Sequence, residues 1–166
     1  MPRSFIVTPL APARTDQALP VIQALHRDMT LAQWRGVVGP FQAPGGDGGV
    51  VACEMSDGHI RGLFCYRVRR DGAARVLAVP TFVAVGLFDA AATSGAQIEA
   101  IDQLAHNLGC GTVEVDLDGC VMAALAPKLD AAGLFGKLGY QVEGRTLVKR
   151  VEAEPVDTAF PVIGAA

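Results

Sequence analysis

The run at 77–88 is the longest apolar stretch of this 166-residue chain, and it limits the fold more than any other feature. A helix across a bilayer needs roughly 20 apolar residues. This run stops well short of that and carries Pro80, Thr81 and Gly86, so it reads as a buried strand. Val83, Val85 and Leu87 lead from it through a turn of small residues into a helical pattern. There Ile98, Ile101, Leu104, Ala105 and Leu108 recur on one face. Residues 112–117 then alternate as a strand. A strand, a crossover helix and a second strand make the two strands parallel.

The flanking segments fill in around this crossover. Residues 4–9 read as a first strand. A helix opens at Asp16, with Thr15 or Asp16 as cap and Pro20 in its first turn, where a missing N–H costs little. Its stripe is Leu19, Ile22, Leu25 and Met29. A short helix or turn at 31–38 carries Trp34, and the Gly/Pro-rich stretch at 40–49 is a loop. Strands at 50–55 and 59–69 form a hairpin about Ser56-Asp57-Gly58. Residues 73–88 give a further strand with a bulge at Pro80, which cannot donate to a ladder.

Ser94 and Gln97 match a capping box, which starts the crossover helix near Ser94, and Gly109 stops it. Another helix lies between 122 and 138 and ends at Gly139. Strands at 140–142 and 146–151 close the domain. The expected fold is α+β (α/β): a mixed, mostly antiparallel central sheet with one parallel β-α-β crossover, flanked by helices. Residues 1–151 form this single domain, and 152–166 form a tail, a mobile end or an interface arm.

Composition narrows the function. With 51% hydrophobic residues the chain is not disordered, and a net charge of -3 argues against a nucleic-acid partner. The first residues lack the apolar run of a signal peptide, so the expectation is a cytoplasmic protein without membrane contact. Cys53, Cys65, Cys110 and Cys120 form no CxxC pair and stay reduced there. His and Cys do not cluster at ligand spacing, so no metal is expected. Phosphate-loop, HExxH and GxSxG motifs are missing from the sequence.

Three stretches carry a resemblance. One is the turn into the crossover helix, with Ala90, Thr93, Ser94, Gly95 and Ala96. The second is Leu134-Phe135-Gly136-Lys137-Leu138-Gly139-Tyr140. The third is the hairpin segment Asp57-Gly58-His59-Ile60-Arg61-Gly62. In this order, over about residues 5–151, they resemble the GNAT superfamily of acyl-CoA-dependent N-acetyltransferases, as a degenerate member.

The resemblance implies acetyl-CoA as co-substrate. The backbone of Val83, Val85 and Leu87 would pair with its pantetheine arm like another strand. Amides at Thr93, Ser94, Gly95 and Ala96 would hold its pyrophosphate, as helix N-termini hold anions. The activity implied is transfer of an acyl group to a primary amine of a small molecule or protein by direct attack. The alternative is a catalytically silent domain that binds CoA or a protein partner. A homodimer also fits the family.

Candidate catalytic residues are Glu114, Asp116 and Tyr140. Glu114 and Asp116 share one face of their strand, an acceptor cleft or plain solvent. His26, Asp28 and Trp34 lie where the family builds its acceptor pocket; Trp34 either stacks on an acceptor or anchors its helix. His26 and His59 are candidate bases because imidazole as a class titrates near neutrality. The basic set Arg67, Arg69, Arg70 and Arg75 either attracts an acidic group or is a solvated turn.

The departures are specific. Phe135 stands where the family's general-acid Tyr is usual, Lys128 where an Asn is usual, and Ala90 and Thr93 at two positions of the pyrophosphate turn. Phe cannot donate a proton. General acid catalysis contributes only about a hundred- to ten-thousand-fold, so its loss does not abolish transfer.

Overall fold

A computed structural model of the chain describes residues 5–24, 26–85, 90–123 and 130–151. Strand β1 (Phe5–Pro9) is followed by a 3-10 segment (Pro12–Ala18) and helices α1 (Leu19–Gln23) and α2 (Leu31–Val38). Strands β2 (Gly48–Met55), β3 (Ile60–Asp71) and β4 (Ala74–Val85) form a meander. Then come helix α3 (Ala90–Asn107), strands β5 (Thr112–Asp116) and β6 (Cys120–Ala123), helix α4 (Ala131–Lys137), and strands β7 (Gln141–Glu143) and β8 (Thr146–Arg150).

One sheet runs β1-β2-β3-β4-β5-β8-β7, with β6 also against β4. All pairings are antiparallel except β4 with β5 and β4 with β6. The mixed sheet with one crossover is the architecture the periodicities imply.

Alternation along the strands sends their side chains to two apolar layers. Val51, Cys53, Phe64, Leu77, Val79, Phe82 and Ala84 pack against Ile98, Ile101 and Leu104 of α3 and Phe135 of α4. Val50, Ala52, Leu63, Cys65 and Val83 pack against Val21 and Ile22 of α1 and Trp34 and Val38 of α2. The bulge expected at Pro80 is present: Cys65 faces Thr81 and Arg67 faces Ala78, so two steps on β3 meet three on β4.

Two local expectations need correction. The helix expected from Asp16 is a 3-10 segment and a five-residue α1. Asp16 does not cap it; its carboxylate accepts two bonds from the Arg35 guanidinium, at 2.9 and 2.6 Å. Met29 lies beyond α1, and Leu25 lies outside the described residues. Helix α3 is already formed at Ala90, before Ser94. Gln97 does not reach back to Ser94, because its side chain is fully buried against the sheet. The helix expected between 122 and 138 is present as α4, Ala131–Lys137, while residues 120–123 form β6, which was not expected. The proposed tail, 152–166, lies outside the described residues.

Helix α2 shows the strongest local start signal. Thr30 Oγ1 accepts the Gln33 amide at 3.1 Å, and Gln33 Oε1 accepts the Thr30 amide at 2.9 Å. Such a box satisfies two otherwise free donors. Thr30→Ala is expected to lower stability by about 1 kcal/mol in urea unfolding; an unchanged midpoint would show that the box adds nothing.

Candidate active site

The end of β4 is where the crossover geometry should place a ligand. Over Val76–Val79, β4 pairs with β5 from Thr112 to Val115. The two then part. β4 advances three positions, from Val79 to Phe82, while its partner chain advances five, from Val115 to Cys120. The excess is taken up by a 3-10 turn, Leu117–Gly119, in which Asp116 Oδ1 accepts the Asp118 amide at 3.0 Å. The chain then rejoins β4 as β6, pairing Phe82 with Cys120, Val83 with Val121, Ala84 with Met122 and Val85 with Ala123.

On the opposite edge, Val83 pairs with Leu63 and Ala84 with Gly62. The backbone edge at Val83 and Val85 that the resemblance gives to pantetheine is therefore taken up by β6 in this structure. Leu87 lies outside the described residues, as does the turn at 86–89. The sequence reading missed β6. Its signal was the Asp118-Gly119 turn dipeptide before the apolar run at 120–123.

Two glycines make these approaches feasible. A Cβ on Gly119 would lie 1.9 Å from the Pro80 carbonyl oxygen. A Cβ on Gly62 would lie 1.9 Å from Gln97 Oε1 and 2.7 Å from the Val83 carbonyl oxygen. Gln97 reaches into that space from α3, and its Nε2 donates to the Val83 carbonyl at 3.2 Å. Gln97 Oε1 and Thr93 Oγ1 are buried without a hydrogen-bond partner among the described residues. Gln97 and Gly62 are site residues that the sequence reading did not name for this role.

Of the expected pyrophosphate set, Thr93 closes the first turn of α3. Because α3 is formed by Ala90, Ser94, Gly95 and Ala96 lie in its second turn, and the free amides of its first turn precede them. Thr93 and Ser94 are fully buried, whereas Gly95 points toward open space.

The three proposed catalytic side chains do not converge. The Glu114 carboxylate is paired with Arg69 at 2.7 Å across the sheet. Asp116 caps the turn before β6. The Tyr140 hydroxyl donates to Asp102 Oδ1 at 2.8 Å, and Lys149 Nζ holds the other Asp102 oxygen at 2.6 Å. Burial first, and then the charge and hydrogen bond of Asp102, hold the Tyr140 hydroxyl far above the usual tyrosine range. That phenol is a structural donor and a poor acid. Phe135 is fully buried, with ring edges against Phe82 at 5.1 Å and Tyr140 at 5.0 Å.

On the other face, Trp34 is an anchor. It is 1% exposed, and its indole N–H donates to the Thr15 carbonyl at 2.8 Å. It does not present a ring to an acceptor. His26 and Asp28 do share a hollow of about 600 Å³ with Arg27, Met29, Gln33 and Val37. Its rim is braced by Gln23 Nε2, which donates to the Met29 carbonyl at 3.0 Å. His59 is exposed at the hairpin turn. In the basic set, Arg69 holds Glu114 and Arg67 lies 4.5 Å over the Phe41 ring. Among the described residues no group of three or more His, Cys, Asp or Glu could hold a metal, and no helix is long and apolar enough to cross a membrane.

No family model and no curated protein matches the chain. Solved structures do. An aminoglycoside 6'-acetyltransferase type Ii matches with a TM-score of 0.68 at 14% identity, over 90% of this chain and 99% of that one. A GCN5-related N-acetyltransferase from Kribbella flavida matches with a TM-score of 0.68 at 15% identity, over 89% and 98%. A GNAT family acetyltransferase from Brucella melitensis, in complex with acetyl-CoA, matches with a TM-score of 0.60 at 13% identity, over 96% and 94%. The chain has the fold of the GCN5-related N-acetyltransferases. At these identities the likeness is one of fold.

Proposed function

We propose that this protein is an acyl-CoA-dependent N-acyltransferase that passes an acetyl group to a primary amine by direct attack. The observation that carries the reading is the parting of β4 from β5 beyond Val79 and Val115, in a sheet of the acetyltransferase fold where β4 leads on to α3. The amine nitrogen bonds to the thioester carbonyl carbon, the C–S bond breaks, and CoA leaves as a thiolate. A cationic amine first loses one proton to become nucleophilic, its nitrogen gives up a second as the amide forms, and the thiolate gains one. With Phe135 lacking a donor and Tyr140 committed to Asp102, solvent supplies the thiolate's proton. Proximity alone can contribute several kcal/mol.

The hollow bearing His26, Arg27 and Asp28 is the proposed acceptor side. Asp28 would draw a cationic amine, and His26 could take its proton. A second reading, a silent CoA-binding or protein-interaction module, is favoured by the sealed Phe135 ring.

Calorimetry with acetyl-CoA, followed by thioester loss with a panel of amines, separates the two. Binding with turnover supports the transferase. Binding without turnover on any amine supports the module. Gly95→Glu tests the second turn of α3. A side chain there meets no atom within 4 Å, so the variant should fold. Its carboxylate is expected to weaken acetyl-CoA binding about tenfold, roughly 1.4 kcal/mol. Unchanged affinity would remove this part of α3 from the site.

A further inference from the structure

We propose that β6 is an internal strand that closes the acyl-CoA cleft and must be displaced before the co-substrate's arm can bind. This deepens the transferase reading and rests on it. An arm laid along β4 as an extra strand needs the free N–H and C=O groups of one β4 edge. From Phe82 to Ala84 neither edge is free: β3 holds one and β6 holds the other, and β6 also covers Val85. Arm and β6 therefore compete for the same backbone groups.

The return of the chain to β4 is built into the local sequence. β5 departs after Val115, Asp116 caps a 3-10 turn, and Gly119 brings the backbone against the Pro80 carbonyl. Any side chain at 119 would collide there with backbone, not with a flexible side-chain end. Cys120 adds a tether, its thiol donating to the Asp116 carbonyl at 3.3 Å.

Yet β6 is weakly held compared with its neighbours. It has four residues and, among the described residues, pairs only with β4, while β5 lies between β4 and β8. The pairing is parallel, the less stable ladder per residue. Opening of such a unit costs far less than global unfolding. If the competent state is only a fraction of the population, apparent affinity falls by that fraction. The strand thus sets the affinity for acyl-CoA.

The test compares the full-length protein with Gly119→Val and Val121→Pro. The first blocks the approach to Pro80, and the second puts into β6 a residue that strand interiors do not tolerate. Acetyl-CoA affinity is expected to rise about tenfold or more in either variant. Affinity for adenosine 3',5'-bisphosphate, which lacks the arm, should not change. In the unmodified protein, saturating acetyl-CoA should speed hydrogen exchange at 120–123 while β5 stays protected. Should one variant fail to fold, the other and the exchange experiment still decide. Equal acetyl-CoA affinity in all three proteins, with exchange at 120–123 unchanged, would overturn the strand's role and leave the transferase reading intact. No acetyl-CoA binding by the protein or by either folded variant would overturn that reading and the strand's role with it.

Discussion

Raising the pH from about 9 to about 12 is expected to unfold the protein. Burial pushes the Cys53 and Cys65 thiols up from about 9 to about 12. Glu54 adds to the effect at Cys53, while Arg67 opposes it at Cys65. Burial likewise pushes the Tyr66 hydroxyl from about 10 to about 12. Between the unfolded and folded values the native state holds protons that the unfolded chain has lost. Stability from these groups is therefore complete below about pH 9 and is lost as the pH rises toward 12. Each group costs about 1.4 kcal/mol per pH unit. By about pH 11 the two thiols alone remove roughly 5 kcal/mol, which rivals the stability of an ordinary domain at about 5–15 kcal/mol. The Tyr140 hydroxyl, also raised, extends the loss to higher pH.

Melting temperature followed from pH 7 to pH 11 reads this directly. It should be flat to about pH 9 and then fall ever more steeply. The double variant Cys53→Ala, Cys65→Ala removes two titrating groups. It should be less stable at pH 7 through lost packing but should fall less steeply above pH 9. Parallel curves for the two proteins would contradict the assignment.

The strands that set this burial were legible because their pattern is local. Val50 to Cys53 is a short apolar run between a Gly-rich loop and a Ser-Asp-Gly turn, buried throughout, and Pro80 inside a strand already required the bulge that Val79 and Pro80 form. Capping patterns were less reliable. Thr30 with Gln33, not named from the sequence, makes a real box, whereas Ser94 with Gln97 matched the same spacing in the interior of α3. The difference lies outside the helix: Gly62 leaves a space on the sheet that the Gln97 side chain enters. No local rule reports such a space. Likewise the sequence placed Val83 and Val85 on the right strand but could not show what pairs with them. Cys120 to Ala123 is too short to display a period, and its partner is settled by where β5 leaves β4. The acceptor-side reading split for a similar reason. His26 and Asp28 face one hollow, but Trp34 finds a carbonyl partner below the surface and is buried.

Truncating Phe135 is the single substitution expected to cost most. Its ring has no exposed surface and meets Phe82 and Tyr140 edge-on, joining α4 to β4 and to the chain before β7. Phe135→Ala leaves a cavity between rigid aromatic walls and should cost about 3–5 kcal/mol. Phe135→Leu retains most of the volume and should cost roughly 1–2 kcal/mol. Urea midpoints check both, and equal midpoints for the two variants would show that the ring does not hold this junction. The loss should also be uneven. Phe82 is the β4 residue that faces Cys120, the first residue of β6. Loosening it acts on the β4 ladder that holds β6, whereas β5 keeps β8. Hydrogen exchange in Phe135→Leu is therefore expected to speed at 120–123 before it changes at 112–116. Position 135, where the resemblance leads one to expect a proton donor, then serves as the wedge that keeps β4 in place to bind β6.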